Sequence, residues 1–238
     1  MPRTPRLADR RADEAAQRRA ELLEATRRVV LERGLGNVRI ADVAAAGNVS
    51  GGLVHYHFSS KDALLVEMLR TVAQRDIERV QAIAADGGSA TGRLDRILRH
   101  YVPSGPDDEG WRLWVDLWAA SLRNPALQGV RRELDDAWDD VLNGVITEGA
   151  ETGEFSCDDP GAAAERLSAL LDGLCARGTL HDKTMSRRKL LAHARAATAA
   201  ELGVDHGELA LAGTTDAPSR RAAADASAAP GGTAASRP

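Results

Sequence analysis

Apolar positions recur along this chain at spacings of three and four and almost nowhere alternate, so the pattern predicts helices and no strands. The first periodic segment runs from Gln17 to Arg33, with Leu22, Leu23, Thr26, Val29 and Val30 on one face. Gly34 follows, where a left-handed glycine would satisfy the free carbonyls of the last turn. Two short helices fit Arg39–Gly47 and Ser50–His57. A long one spans Ser60–Ala84 with Leu64, Leu65, Met68, Leu69, Val72, Ile77, Val80 and Ile83 as its buried stripe. Ser60 stands where an N-cap belongs, and Asp62 falls in the first turn. Asp86-Gly87-Gly88-Ser89 then interrupts the pattern, and further helices are expected at 90–102, 109–122, 125–152, 160–178 and 185–202. Pro125 and Pro160 sit where prolines open helices. Beyond Gly203 the chain turns to Ala, Gly, Ser, Thr and Pro, and residues 213–238 read as a disordered tail.

Composition changes this picture in two places. Cys157 and Cys175 form no C-x-x-C pair and cannot supply a disulfide framework, so a reducing cytoplasm is the expected compartment. The basic N-terminal start has no apolar stretch after it, as a secretory signal would, and no apolar run approaches the roughly 20 residues of a membrane span. The net charge of −4 conceals an asymmetry. Residues 1–61 carry eleven Lys and Arg against seven Asp and Glu, whereas 62–238 carry twenty against twenty-eight. A basic head on an acidic body suits a protein whose N-terminal end alone meets a polyanion, although chance asymmetry with an Arg-rich tail gives the same sums.

The segment from Arg39 to Leu65 is the most informative. Ile40, Val43 and Ala44 give a short helix one apolar face; Gly47-Asn48 is a natural tight turn, since both residues readily take positive φ. Val49 would plug the angle between two helices, and the Ser50 hydroxyl would cap the second. That second helix opens with Gly51-Gly52, so its backbone N–H groups could approach a phosphate closely. Two short helices joined by such a turn are the helix-turn-helix pattern, whose second helix enters the major groove.

Here the sequence resembles the TetR family of regulators. Gly34, Ile40, Val43, Ala44, Val49, Ser50, Gly52, Tyr56, His57, Phe58, Lys61, Leu64 and Leu65 match the family's N-terminal run in register and without a gap. Asn48 stands where the family usually has glycine, and the His55-Tyr56-His57 order resembles the choline–betaine repressor branch more than the founding tetracycline repressor. The resemblance implies an all-α protein with a basic flexible arm (1–16), a three-helix helix-turn-helix domain (17–60) and a larger helical effector-binding and dimerisation domain (61–212). It implies double-stranded DNA with a palindromic operator as partner, contacted by Arg39, Ser50, Gly51, Gly52, Leu53, His55, Tyr56, His57 and Lys61. Tyr56 would bond a phosphate or stack on a sugar, Leu53 would touch a thymine methyl, and Arg39 and Lys61 would clamp the backbone. Arg3, Arg6, Arg10 and Arg11 would trail along the minor groove, or only solubilise the end of the chain. A metal site from His55 and His57 is disfavoured, because residues two apart point to nearly opposite sides of a helix.

The body carries all four tryptophans. Trp111, Trp114 and Trp118 are spaced three and four apart and stack along one helical face, with Asp116 near them in sequence though on a different face and Trp138 on the next long helix. Aromatic rings with a carboxylate hold organic cations, so these five residues form a candidate effector pocket for a cationic amine or quaternary ammonium; an ordinary aromatic core stripe is the plainer alternative. Asp135, Asp136, Asp139 and Asp140 form i, i+4 pairs that read as a solvated acidic face, or as a site for a divalent ion or polyamine. The resemblance also implies a homodimer built on the last two helices, with Leu167, Leu170, Leu171, Leu174, Leu190, Leu191 and Ala194 as the apolar seam and Ala197 and Ala200 permitting close approach.

The sequence holds no H-E-x-x-H, G-x-S-x-G, phosphate-loop or dinucleotide motif and no Glu-x-x-His pair, so no enzyme, cofactor or metal is expected. A ligand-independent architectural DNA binder and a helical metalloenzyme are the alternatives to a ligand-responsive repressor.

Overall fold

The computed structural model describes residues 7–180, 185–205, 207 and 209. Among them nine α-helices and no strand are found: α1 (Leu7–Arg33), α2 (Ile40–Ala46), α3 (Gly51–His57), α4 (Lys61–Ala84), α5 (Ala90–Tyr101), α6 (Glu109–Ser121), α7 (Pro125–Glu151), α8 (Pro160–Leu180) and α9 (Arg187–Leu202). A single 3-10 turn, Leu35–Asn37, links α1 to α2. No helix among the described residues is long and apolar enough to cross a membrane.

Most boundaries lie within two residues of those the periodicity predicts, because the capping residues do what their chemistry demands. The Ser50, Ser60, Ser89 and Ser186 hydroxyls accept from the third backbone N–H of α3, α4, α5 and α9. Asn124 caps α7 with Pro125 in the first turn, and its amide also donates to Asp62 at 3.0 Å, tying the starts of α4 and α7 together.

Two expectations need correction. The first helix begins at Leu7, ten residues before the expected start at Gln17, so much of the expected flexible arm is helical. The added turns are rich in Ala and Arg, which extend a helix already nucleated by a packed core at little cost. Arg3, Arg6 and the expected tail 213–238 lie outside the described residues. Gly34, in turn, is not a left-handed helical cap: it takes φ 81° and ψ 152°, a combination reserved for glycine, and sends the chain into the 3-10 turn.

The hydrophobic core runs unbroken from head to body. Leu22, Val43, Val54 and Phe58 of the first three helices and their flank join Leu64, Leu65, Met68 and Leu69 of α4, which in turn meet Leu113 and Leu117 of α6 and Leu134 of α7. Two further clusters fill the body between α5, α7, α8 and α9. Buried charges in the body are paired: Asp95 is fully enclosed between Arg99 and Arg195, joining α5 to α9, and Arg93 forks onto Glu148 of α7 while donating to the Ala84 carbonyl. Helix contacts are close where glycine allows them. A Cβ on Gly178 of α8 would stand 2.5 Å from Cδ1 of Leu190 on α9.

Candidate nucleic-acid interface and ligand cavity

Helices α2 and α3 meet across Gly47-Asn48. Gly47 ends α2 in a right-handed conformation, and Asn48 takes the left-handed step at φ 51°, the only described non-glycine residue with positive φ. The family's usual glycine is thus replaced by the residue that best tolerates that backbone. Asp42 accepts from the Arg39 backbone N–H at 3.2 Å and from the Arg33 guanidinium at 2.8 Å, fixing the start of α2 and leaving Arg39 exposed.

The side chains of α3 and its flanks divide cleanly. Val54 and Phe58 are buried and hold α3 to the head, whereas Tyr56 is 80% exposed and His55 is exposed beside it. Leu53, His57 and Lys61 are half-buried, and Ser50 spends its hydroxyl on the Leu53 N–H at 3.3 Å. An added Cβ at Gly51 would touch nothing in the protein, and at Gly52 only the Ser50 hydroxyl at 3.8 Å. Neither glycine is demanded by internal packing. The open start of α3 and the exposed ring of Tyr56 form one outward surface, suited to a polyanion by its free N–H groups.

The C-terminal end of α3 has a support that periodicity does not reveal. Arg19 of α1 donates to the His57 carbonyl at 2.5 Å, forks onto the Glu67 carboxylate of α4, and lies 4.4 Å above the Phe58 ring.

In the body, the aromatic residues converge. Trp114 and Trp118 stack with centroids 6.5 Å apart, Trp111 meets Trp118 edge-on at 6.0 Å, and Tyr101 meets both Trp111 (5.4 Å) and Trp138 (5.2 Å) edge-on. Trp111 is buried, and its indole N–H donates to the Tyr101 carbonyl at 2.7 Å. Tyr101, Trp114, Trp118 and Trp138 line a cavity of about 270 Å³ between α5, α6, α7 and α8, whose remaining wall carries Asp135, Asp139, Glu165, Ser168 and Asp172. A smaller space of about 40 Å³ adjoins it through Tyr101, Trp114 and Trp138 and reaches Asp76 and Trp111.

The carboxylate of this cavity is not the one expected. Asp116 faces away from the tryptophans and accepts the Leu35 backbone N–H at 2.5 Å, beneath Gly34. It sits five residues after Trp111 and two from Trp114 and Trp118, and 100° steps carry those offsets off the aromatic face. The negative charge comes instead from Asp135 and Asp139, which the sequence reads as a solvated face, and from Asp172. Tyr101 donates its hydroxyl to Asp172, and Ser168 donates to Asp139 at 2.6 Å. Burial pushes Asp135 up to about 6, against the pull of its Arg131 partner and with a further push from Asp172, Asp139 and Asp136. Burial likewise raises Asp172, opposed by the Tyr101 hydroxyl. Neither Tyr101 nor Asp172 belongs to a motif that a sequence could reveal; only the fold brings them together. Among the described residues, no group of three or more His, Cys, Asp or Glu side chains is arranged to hold a metal.

Helix α6 therefore has two working faces. Trp111, Trp114 and Trp118 line the aromatic spaces. On another side, Glu109 pairs with Arg27 at 2.5 Å, Arg112 reaches the Leu31 carbonyl at 3.4 Å, and Asp116 holds Leu35, all at the C-terminal half of α1 and the turn after it.

The leucines expected to form a dimer seam fall on different faces. Leu167, Leu171, Leu190 and Ala194 are buried inside this chain's own core and present nothing outward. Leu174 and Leu191 are half-buried, while Leu170 and Leu180 are exposed, with Ala192, Ala196 and Ala200 exposed on α9. The spacing of leucines on α8 does not by itself separate the face that meets α7 and α9 from the face that meets solvent.

A helix-turn-helix head with an open recognition helix, continuous with an all-helical body that encloses an aromatic cavity, defines the helix-turn-helix class of regulators. Residues 22–68 match the model of the bacterial regulatory proteins of the tetR family, and residues 90–203 match that of the BetI-type transcriptional repressor C-terminal domain. The HTH-type transcriptional regulator BetI of Pseudomonas paraeruginosa is 31% identical over 166 residues, covering 68% of this chain and 82% of that protein. BetI of Burkholderia mallei is 32% identical over 187 residues, covering 73% and 88%. Among solved structures, a transcriptional regulator from Saccharomonospora viridis in complex with choline is 30% identical with a TM-score of 0.70, covering 76% of this chain and 95% of that one. A regulator from Pseudomonas aeruginosa is 28% identical with a TM-score of 0.68, covering 82% and 94%. The chain belongs to the TetR family of DNA-binding transcriptional regulators and carries a BetI-type C-terminal domain.

Proposed function

We propose that the protein is a cytoplasmic homodimeric repressor that holds a palindromic operator and releases it when a quaternary ammonium ligand fills the aromatic cavity. The observation that carries this reading is the cavity itself, where four aromatic rings stand opposite three aspartates. Ring faces attract a cation that bears no N–H donor, and the carboxylates neutralise it without a directed hydrogen bond. The Saccharomonospora viridis regulator, solved with choline, supports the same ligand class.

On DNA, the free N–H groups at Gly51 and Gly52, the Tyr56 hydroxyl, Arg39 and Lys61 would meet phosphates, leaving Leu53, His55 and His57 to border the bases. Two such heads must lie a helical turn or a multiple apart, which the dimer supplies. Its seam would use the exposed faces of α8 and α9, with Leu170 and Leu180 as apolar anchors. Release follows from linkage: the ligand shifts the equilibrium between head spacings only by its differential affinity for them. Helix α6 is the suited carrier, since it bears cavity tryptophans and grips α1 and the turn beyond it.

Selection of genomic fragments by the purified protein, with and without choline, tests the whole reading. Enrichment of a palindrome that choline abolishes is the expected result, with choline, tetramethylammonium and the neutral isostere 3,3-dimethylbutanol compared by tryptophan fluorescence. Equal binding of the isostere would remove the cation from the reading; an enriched site insensitive to every ammonium compound would leave a ligand-independent DNA binder.

A further inference from the structure

Recognition helix α3 is only seven residues long, about 10 Å of rise, too short to hold its own shape or direction in water. Its N-terminal end is fixed by the Ser50 cap and the Asn48 turn, and Val54 is its one buried side chain. Its C-terminal end, which carries His55, Tyr56 and His57, depends on neighbouring elements for support. There a side chain from another helix intervenes. The Arg19 guanidinium donates to the His57 carbonyl, one of the acceptors that a helix C-terminus leaves without an internal donor, and brings positive charge to the negative end of the helix dipole. The same planar group forks onto Glu67 of α4 and covers the face of Phe58, the C-cap residue of α3. Three helices are thus referenced to one another through one guanidinium, whose partners His57, Glu67 and Phe58 all belong to the fold itself.

We infer that Arg19 is a positioning residue for DNA recognition: it sets the angle of the C-terminal half of α3 against α1 and α4, and acts on bases and phosphates only through that helix. The inference rests on reading α3 as the groove helix.

The test is carried out on the full-length protein, with its best-selected genomic site and a scrambled duplex of equal length titrated across a range of salt. Arg19→Met keeps the aliphatic stem over Phe58 and removes every donor; Arg19→Lys keeps the charge without the fork. The expected result, well below the unfolding transition, is a loss of about ten- to a hundredfold in specific affinity with scrambled-duplex affinity and salt slope unchanged, and only partial recovery in Arg19→Lys. Tryptophan fluorescence with choline stays as in the wild type, which separates this loss from damage to the body. A parallel fall in both affinities, with the salt slope reduced by about one per phosphate no longer neutralised, would show that Arg19 touches phosphate directly and would overturn the inference. An unchanged ratio in Arg19→Met would overturn it as well. Should Arg19→Met fail to fold, Arg19→Lys against wild type decides by the same ratio. A wild-type protein that prefers no site overturns the reading of α3 together with the role of Arg19, whereas a preferred site with unaltered discrimination in the variants overturns the role alone.

Discussion

Gly52 stands at the second position of α3, where a side chain would meet little of the protein. Glycine lowers helix stability relative to other residues, so its presence in an uncrowded helix start has to be accounted for from outside the fold. Gly52→Leu is expected to leave the thermal midpoint unchanged or slightly raised and to weaken operator binding by about tenfold or more, since the added bulk would stand between the helix start and the phosphates. A gel-shift titration beside a melting curve checks both halves; unaltered DNA affinity would mean that this end of α3 does not approach the duplex. At this scale much is legible in the sequence. Asn48 as a left-handed turn and Ser50 as a cap follow from intrinsic residue properties, the exposed ring of Tyr56 follows only from the family resemblance, and the fold agrees with all three. Asp116 is not legible, because its partner is a backbone N–H eighty-one residues away and nothing in its own helix announces it.

At the scale of elements, α8 illustrates the difference between finding a helix and knowing what its faces do. Periodicity locates a helix at 160–178 with its leucines, and the family resemblance assigns Leu167 and Leu171 to a partner chain, whereas α7 and α9 of the same chain take them. Gly178 packs against Leu190 of α9, and Gly178→Ala should cost about 1–3 kcal/mol by overpacking against Leu190, read as a lowered denaturant midpoint at unchanged slope. The facing walls of α7 and α8 also carry a pH dependence. Asp135 sits at about 6, above its unfolded value near 3.8. The folded form therefore holds its proton more tightly, so the ligand-free protein gains stability from this group as pH falls through 6 toward 4, and loses that gain on the way up. Cation binding runs the other way, since the ionised wall attracts the ligand. Choline affinity measured by tryptophan fluorescence should rise from pH 5 to pH 7 and level off above, with Asp135→Asn flattening the rise. Asp139, Asp172, Asp136 and Arg131 share that field, so the midpoint belongs to the cluster rather than to one carboxyl.

Over the whole molecule, the class and the helix order are readable from local pattern, whereas the composition of the cavity is not. Tyr101, Trp114, Trp118, Trp138 and Asp172 come from four helices, and no local pattern encodes which of their faces converge. The same limit hides the continuity of the core: a boundary after residue 60 fits the motif, yet Phe58, Leu64 and Leu113 belong to one packed cluster. Head and body are therefore coupled by packing as well as by the polar contacts of α6. Asp116→Ala removes one of those contacts without touching the cavity wall. Choline's own Kd should stay within about twofold, while the factor by which saturating choline weakens operator binding shrinks, because coupling is a free energy separate from either affinity. A coupling factor unchanged in Asp116→Ala would place the transmission in the shared core instead.

The two faces of α6 have a consequence for how such a protein diversifies. One side of the helix is committed to the head through Glu109, Arg112 and Asp116, whereas Trp114 and Trp118 on the other line the cavity. On the proposed function, selection can rewrite the second set while the first stays put, so a lineage can change the molecule it senses and keep the response intact, much as a lock is re-keyed without replacing the bolt.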